Sequence, residues 1–333
     1  TGPEGDIVLG SRIRLARNPK GIPFPATANR EQLKHVLQVA EAIPPALSSY
    51  GPVRFLKMAE VEALERQLLV EEHLISPEHT KNTQAKGVIL AKQDEISVMV
   101  NEEDHFRIQV FHPGLQLDEA WRLADQVDDQ IEAELDYAFD QERGYLTACP
   151  TNVGTGMRAS VMIHLPALRL VNQVNQVLGA VAKFGLTVRG LYGEGSDSQA
   201  SIYQLSNQAT LGMSEEAIIE RLNRLTHQVL EGERQAREFL LKSQNRLATE
   251  DRLYRSYGIL TYARSVSGQE AMALLSDVKL GAEMGIIPNV DANLLKQLIV
   301  LTRPAHLQKI MGQELPPEER DRLRASLIRD MLR

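Results

Sequence analysis

One change of texture, at Gly212, constrains the fold of this chain more than any other feature. Upstream, short β-rich runs alternate with helical stretches and with turns rich in Gly, Pro and Asn. Downstream, the hydrophobic spacing is helical to the end. Ile7, Val8, Leu9, Ile13 and Leu15 read as a first strand. Gly87 to Ala91 and Glu95 to Val100 read as two more, parted by the turn Lys92-Gln93-Asp94. Phe106 to Phe111 alternates with a period of two, and Leu117, Ala120, Trp121, Ala124, Val127, Ile131 and Leu135 form the stripe of a long amphipathic helix. Helical spacing also covers residues 29–43, 59–75 and 166–184, and further short strands are expected at 145–149, 159–164, 186–188 and 201–205.

Beyond Gly212, residues 214–247 read as one long polar-faced helix. Ser267-Gly268-Gln269-Glu270 fits a capping box, and Pro316-Pro317-Glu318-Glu319 opens a final helix. The expected class is α+β. A mostly antiparallel sheet flanked by helices occupies residues 1–235, and an all-helical C-terminal domain occupies 236–333.

Composition excludes several function classes. No apolar run approaches the length that spans a bilayer, and no secretory signal opens the sequence. A formal net charge of −7 argues against a general nucleic-acid binder. One cysteine in 333 residues makes no internal disulfide and suits a reducing, cytoplasmic compartment. The eight histidines have no ligand spacing, which argues against zinc. Of 37 basic residues, 26 are Arg, the side chain that grips phosphate or carboxylate with two parallel hydrogen bonds.

The residues that can carry chemistry fall in four places. Cys149-Pro150-Thr151-Asn152-Val153-Gly154-Thr155-Gly156-Met157-Arg158 joins a thiol, a turn with exposed N–H groups and a guanidinium. Arg12 and Arg14, two apart on a strand, point to one sheet face. With Arg107, Arg158 and Arg189, also on or beside strands, they are candidates for a phosphate cage. Asn101-Glu102-Glu103-Asp104-His105 sets three carboxylates in a turn, suited to solvation, to Mg²⁺ or to a cationic substrate. Glu194 lies in a Gly-flanked loop. No P-loop, dinucleotide fingerprint or protein-kinase motif is present, so any nucleotide is held by arginine side chains.

Ser11-Arg12-Ile13-Arg14, Asn101 to Arg107, Cys149 to Arg158 and Val188-Arg189-Gly190 with Glu194 resemble, in order, the motifs of the phosphagen (guanidino) kinases. Gly190-Leu191-Tyr192-Gly193-Glu194-Gly195 and Ser206-Asn207-Gln208 are most similar to the bacterial protein arginine kinases. The resemblance implies a phosphagen-kinase-like catalytic domain using ATP, with Mg²⁺ carried on the nucleotide rather than by a protein metal site. It implies that Arg12, Arg14, Arg107, Arg158 and Arg189 hold the ATP phosphates. Glu103 and Glu194 would orient the acceptor guanidinium, with Cys149 beside it. Met162 stands where many phosphagen kinases place a histidine against the adenine.

Arg320-Asp321-Arg322-Leu323-Arg324-Ala325 resembles a motif implicated in allosteric phosphoarginine recognition, through Arg320, Asp321 and Arg324. The Ser-x-Arg-x-Arg strand begins almost at residue 1. The helical N-terminal domain of animal phosphagen kinases is therefore not expected, which favours an open acceptor site admitting an arginine within a protein. By resemblance, the clients are arginine-containing proteins marked for a Clp-type protease and unfoldase. The partners implied are an activating adaptor, a stress-response repressor and a second copy in a homodimer, all in the cytoplasm. Two rivals are a kinase of free arginine or another small guanidino compound, and a non-catalytic phosphoarginine-binding adaptor.

Overall fold

A computed structural model describes residues 2–190 and 200–332. The first strand, β1 (Val8–Arg17), alternates fully buried Ile13 and Leu15 with half-buried Arg12 and Arg14. It is a central strand. Helix α1 (Arg30–Ala42) follows, started by an Asn29 capping box with Gln32. After it come β2 (Arg54–Lys57), α2 (Ala63–Glu71), β3 (Gly87–Ala91), β4 (Ile96–Val100) and β5 (Phe106–Pro113). The amphipathic stripe forms α3 (Leu117–Glu132). A short ribbon, β6 (Phe139–Asp140) and β7 (Gly144–Tyr145), leads to β8 (Met157–His164), α4 (Pro166–Leu170), α5 (Val174–Ala182), β9 (Leu186–Gly190) and β10 (Ile202–Asn207). The remainder is helical: α6 (Glu215–Leu241), α7 (Ser243–Tyr262), α8 (Gly268–Glu283), α9 (Ala292–Leu301), α10 (Pro304–Met311) and α11 (Pro317–Met331).

Eight strands form one antiparallel sheet in the order β2-β3-β4-β5-β1-β8-β10-β9. Its two faces differ in character. One, carrying Ile13, Leu15, Ile108, Val110, Ala159, Val161 and Leu205, is buried in a core shared with α3 and α6 that continues into α8 and α9. The opposite face is apolar at the β3–β4 end, where Val88, Leu90 and Met99 pack with Leu69, Leu74 and Ile75 from α2 and the segment after it. Its centre carries the arginines.

Three helical stretches expected from spacing are interrupted. The 214–247 run breaks at Lys242, whose extended backbone (ψ 145°) turns the chain so that α7 packs on α8. No Gly or Pro marks that corner, so the helical period runs through it unbroken. The 166–184 run divides at Asn172, which adopts the left-handed conformation (φ 58°) that Asn tolerates. The 59–75 run is helical only over Ala63–Glu71 and ends before His73, also left-handed (φ 61°). The strand expected at 145–149 reduces to Gly144–Tyr145, because the N–H of Ala148 is taken by the carboxylate of Asp104.

The helical region docks back onto the sheet at the end of α2. Glu71 accepts hydrogen bonds from the N–H groups of Ala305 (2.9 Å) and His306 (3.2 Å) at the start of α10, and pairs with His306 Nδ1 at 2.8 Å. Arg303 Nη1 donates to the Glu71 carbonyl at 2.7 Å, and Glu72 lies 3.5 Å from His306 Nε2. Glu71 and then Glu72 raise the His306 pKa to about 9, so the imidazole is charged through neutral pH. A raised folded-state pKa stabilises fully below the ordinary histidine value and is lost as pH rises through about 9. His306→Gln is therefore expected to lower Tm at about pH 6 and to match the wild-type Tm at about pH 10. A Tm difference independent of pH would mean that the clamp is not ionic.

Candidate active site

Strand register assembles the arginines. On β1, Arg14 lies opposite Arg158 of β8 and Gln109 of β5, while Arg12 lies opposite Ser160 and Phe111. Arg107 is two residues from Gln109, and Arg189 of β9 lies opposite Gln204 of β10. Facing residues in an antiparallel ladder share a side, so all five guanidinium stems leave the same sheet face. Arg12 Nη2 donates to Gln204 Oε1 at 2.7 Å, and Arg158 Nη2 to Ser206 Oγ at 3.2 Å. Arg107 is held by Glu102 at 2.5 Å and Glu103 at 2.9 Å. Arg189 is exposed.

Arg14 makes no ion pair among the described residues. The Nε atoms of Arg14 and Arg158 are buried with no hydrogen-bond partner among the described residues. Burial pushes the Arg14 pKa well down, and the neighbouring charges of Arg12, Arg107 and Arg158 push the same way. Arg158 is lowered by burial and by Arg189, with Cys149 acting in the opposite sense. A concentration of positive charge with orphaned donors fits an anionic ligand bearing many acceptor oxygens.

The turn from Cys149 to Gly156 flanks this row. Cys149, half-buried, has its Sγ 3.0 Å from Thr151 Oγ1. Gly154 (φ 112°) and Gly156 (φ 63°) are left-handed, and a Cβ would lie 2.3 Å from the Thr210 carbonyl at the first and 2.5 Å from Arg17 Nη1 at the second. Arg17 points to the opposite face and is buried. It pairs with Asp128 at 2.6 Å, donates to the Thr155 carbonyl at 3.0 Å and stacks on Tyr145 with its guanidinium 3.5 Å from the ring centroid.

The acidic turn separates into distinct roles. Asp104 is fully buried; its Oδ1 accepts from Ala148 N–H (2.7 Å) and from Asn18 Nδ2 (2.8 Å), tying this turn to the Cys149 segment. Glu102 accepts from Ser76 Oγ at 2.7 Å besides holding Arg107. Glu103 is the exposed member, with 46% of its side chain accessible. Glu194 lies outside the described residues. Among the described residues no group of three His, Cys, Asp or Glu is placed to hold a metal ion.

Past Arg12 the same face turns apolar: Phe111 lies opposite Arg12, and Met162 opposite Gly10 and Gln204. There a cavity of about 240 Å³ opens between Phe111, Met162, Ile202 and His73. Burial lowers the His73 pKa to about 4, assisted by Arg12 and Arg303, so its ring is neutral. A second cavity, of about 180 Å³, lies between Thr151, Asn152, Arg158, Thr187 and Arg189.

On α11, Arg320 and Asp321 are half-buried, whereas Arg324 is buried and committed. Its Nε donates to the Thr302 carbonyl and its Nη1 to the Val266 carbonyl, both at 2.9 Å, and it pairs with Asp321. His73, Gln204 and Arg17 were not expected at the site from sequence; Asp104 was expected as a solvated or ligand-facing carboxylate and is instead buried. Gln204 alone had a local signal, as a polar residue alternating with Tyr203 and Leu205 on a short strand.

The catalytic-domain model of ATP:guanido phosphotransferases matches residues 36–236, and the C-terminal-domain model of protein-arginine kinase McsB matches residues 246–333. The protein-arginine kinase of Halothermothrix orenii is 53% identical over 99% of this chain and 94% of its own length. That of Bacillus subtilis is 49% identical over 99% of this chain and 91% of its own. The chain belongs to the protein-arginine kinase family. It is a phosphotransferase acting on arginine, and the family's phosphoryl donor is ATP.

Solved phosphagen kinases share the fold over about 70% of this chain. The duplicated taurocyamine kinase of Schistosoma mansoni, with transition-state analogue components bound, superposes at a TM-score of 0.63 with 26% identity, covering 71% of this chain and 34% of that one. Lombricine kinase gives a TM-score of 0.59 at 24% identity, covering 69% of this chain and 67% of that one, and speaks for the fold alone. No described helix is long and apolar enough to cross a membrane.

Proposed function

We propose that ATP lies along the arginine face with its base in the apolar cavity at Phe111 and Met162 and its phosphates across Arg12, Arg14, Arg107, Arg158 and Arg189. The γ-phosphoryl group passes to an arginine side chain of a client protein. The partly buried guanidinium cluster around Arg14, with the Arg14 Nε unpartnered among the described residues, carries this reading. The acceptor guanidinium sits between Glu103 and Glu194, with the Cys149 thiol beside it. An arginine nitrogen attacks poorly while fully protonated. A carboxylate that aligns it and takes its proton lets the N–P bond form as the bond from phosphorus to the β–γ bridging oxygen breaks, leaving ADP. The guanidinium row stabilises charge on the transferring group, and alignment supplies much of the rate. Mg²⁺ arrives on the nucleotide and adds charge neutralisation at the phosphates.

The division of labour is a catalytic part over 1–235 and a helical part over 236–333. Arg320 and Asp321 are the accessible elements of an allosteric phosphoarginine site, with Arg324 bracing them from behind. The helical part dimerises through α7, whose Leu247, Tyr254 and Tyr262 are 79%, 47% and 81% exposed along one side. In the cytoplasm the mark directs clients to a Clp-type protease and unfoldase, under an activating adaptor, and relieves a stress-response repressor.

Incubation with Mg-ATP and either an arginine-rich protein or free arginine tests the reading. Acid-labile phosphoarginine on the protein, found by mass spectrometry, is the expected product. Turnover of the free amino acid alone would defeat it in favour of a small-molecule guanidino kinase.

A further inference from the structure

We propose that helix α9 and the corner that follows it form a working wall of the nucleotide-base pocket, so that the helical region takes part directly in ATP selection. The inference rests on the placement of the base proposed above. The cavity beside Arg12 is closed on one side by the sheet residues Phe111 and Met162. Its other side is formed by Ile299 and Val300 of α9, with His73 between the two. A planar nucleobase needs two apolar walls, and the sheet supplies only one.

The wall is fixed in place by several independent contacts. Lys296, one turn before Val300, donates to the Gly5 carbonyl just ahead of β1. Immediately after α9, Arg303 and His306 clamp Glu71, two residues before His73. The carbonyl of Thr302, between wall and clamp, is held by the buried Arg324 of α11. The clamp therefore sets the gap between α9 and the sheet, and the Arg324 bond ties α11 to the residue that follows α9. Arg303 is also close enough to help keep His73 neutral, which leaves that ring free of repulsion from the arginine row.

Val300 lies at the cavity mouth and is 38% exposed, so a charged side chain there leaves the core intact. The experiment compares wild type, Val300→Glu and His306→Gln by ATP kinetics with a protein acceptor and by competition with inorganic tripolyphosphate. Tripolyphosphate offers the arginines their ligand and offers the wall nothing. Val300→Glu is expected to raise KM for ATP about tenfold or more, with kcat at saturation within about twofold and the tripolyphosphate inhibition constant unchanged. His306→Gln, which loosens the clamp through the cavity-lining Glu71 and Glu72 and leaves α9 itself unchanged, is expected to raise KM about threefold by the same pattern. An unchanged KM in folded Val300→Glu overturns the proposal. So does a parallel rise in KM and in the tripolyphosphate constant, since the change would then have reached the arginine row. Failure of the wild type to use ATP at all would instead remove the functional reading on which the wall depends.

Discussion

Arg14→Met is expected to lower kcat/KM for protein phosphorylation by about 10³-fold or more while raising Tm by roughly 2 °C. The two changes have one cause. Arg14 sits mid-strand on β1, opposite Arg158, with Arg12 two residues away and Arg107 on the neighbouring strand. Burial and then these three charges disfavour its charged form, Glu102 opposes them without forming an ion pair with Arg14, and its Nε has no partner among the described residues. The folded protein thus holds a positive cluster that is unfavourable until an anion enters it. Methionine keeps much of the apolar stem against the sheet and removes the charge, relieving the free protein and depriving the phosphates of a contact.

Differential scanning at matched pH, with and without Mg-ATP, reads both effects. Wild type should gain stability on adding nucleotide, and the variant should gain far less. A variant less stable than wild type without nucleotide would mean that the Arg14 charge is already satisfied. A variant that still transfers phosphate at the wild-type rate would remove the arginine row from the mechanism.

The reach of the sequence follows the range of the interactions concerned. Spacing alone puts Arg12 and Arg14 on one face, because alternation is a property of a single strand. That Arg158 stands directly opposite Arg14 depends on a register between segments more than a hundred residues apart, adjusted by an irregularity between Val8 and Gly10. Placement on or beside strands made Arg107, Arg158 and Arg189 candidates for the same cage, and the motif resemblance then assigned them a role on the ATP phosphates. Asp104 reads locally as one more solvated carboxylate, yet it is buried because its partners, Ala148 and Asn18, come from distant turns. Arg17 falls on the core face by parity, and only the buried Asp128 on α3 and the ring of Tyr145 make that placement tolerable. The break at Lys242 is marked by no Gly or Pro, and α7 beyond it packs on α8. The cavity at Met162 was legible only through that one residue, because His73, Phe111 and Val300 come from three separate parts of the chain.

Glu103→Gln is expected to lower kcat by about 10²- to 10³-fold with KM for ATP nearly unchanged. In the structure Glu103 Oε2 accepts from Arg107 Nη2 at 2.9 Å, while Arg107 Nη1 is held separately by Glu102, itself anchored by Ser76. Arg107 therefore keeps a counter-charge when Glu103 lets go. Glu103 is accessible, faces the solvent side of the row and already engages one guanidinium, so it can exchange Arg107 for the guanidinium of an acceptor at little cost. Glutamine preserves size and one acceptor oxygen but presents an N–H₂ where the carboxylate must receive a proton and align two N–H edges. Loss should therefore fall on the chemical step, leaving nucleotide binding to the arginines. The same substitution at Glu102 should behave differently: it weakens the hold on Arg107 and should raise KM for ATP. A Glu103→Gln enzyme with wild-type kcat would assign proton acceptance elsewhere, with Glu194 the remaining carboxylate.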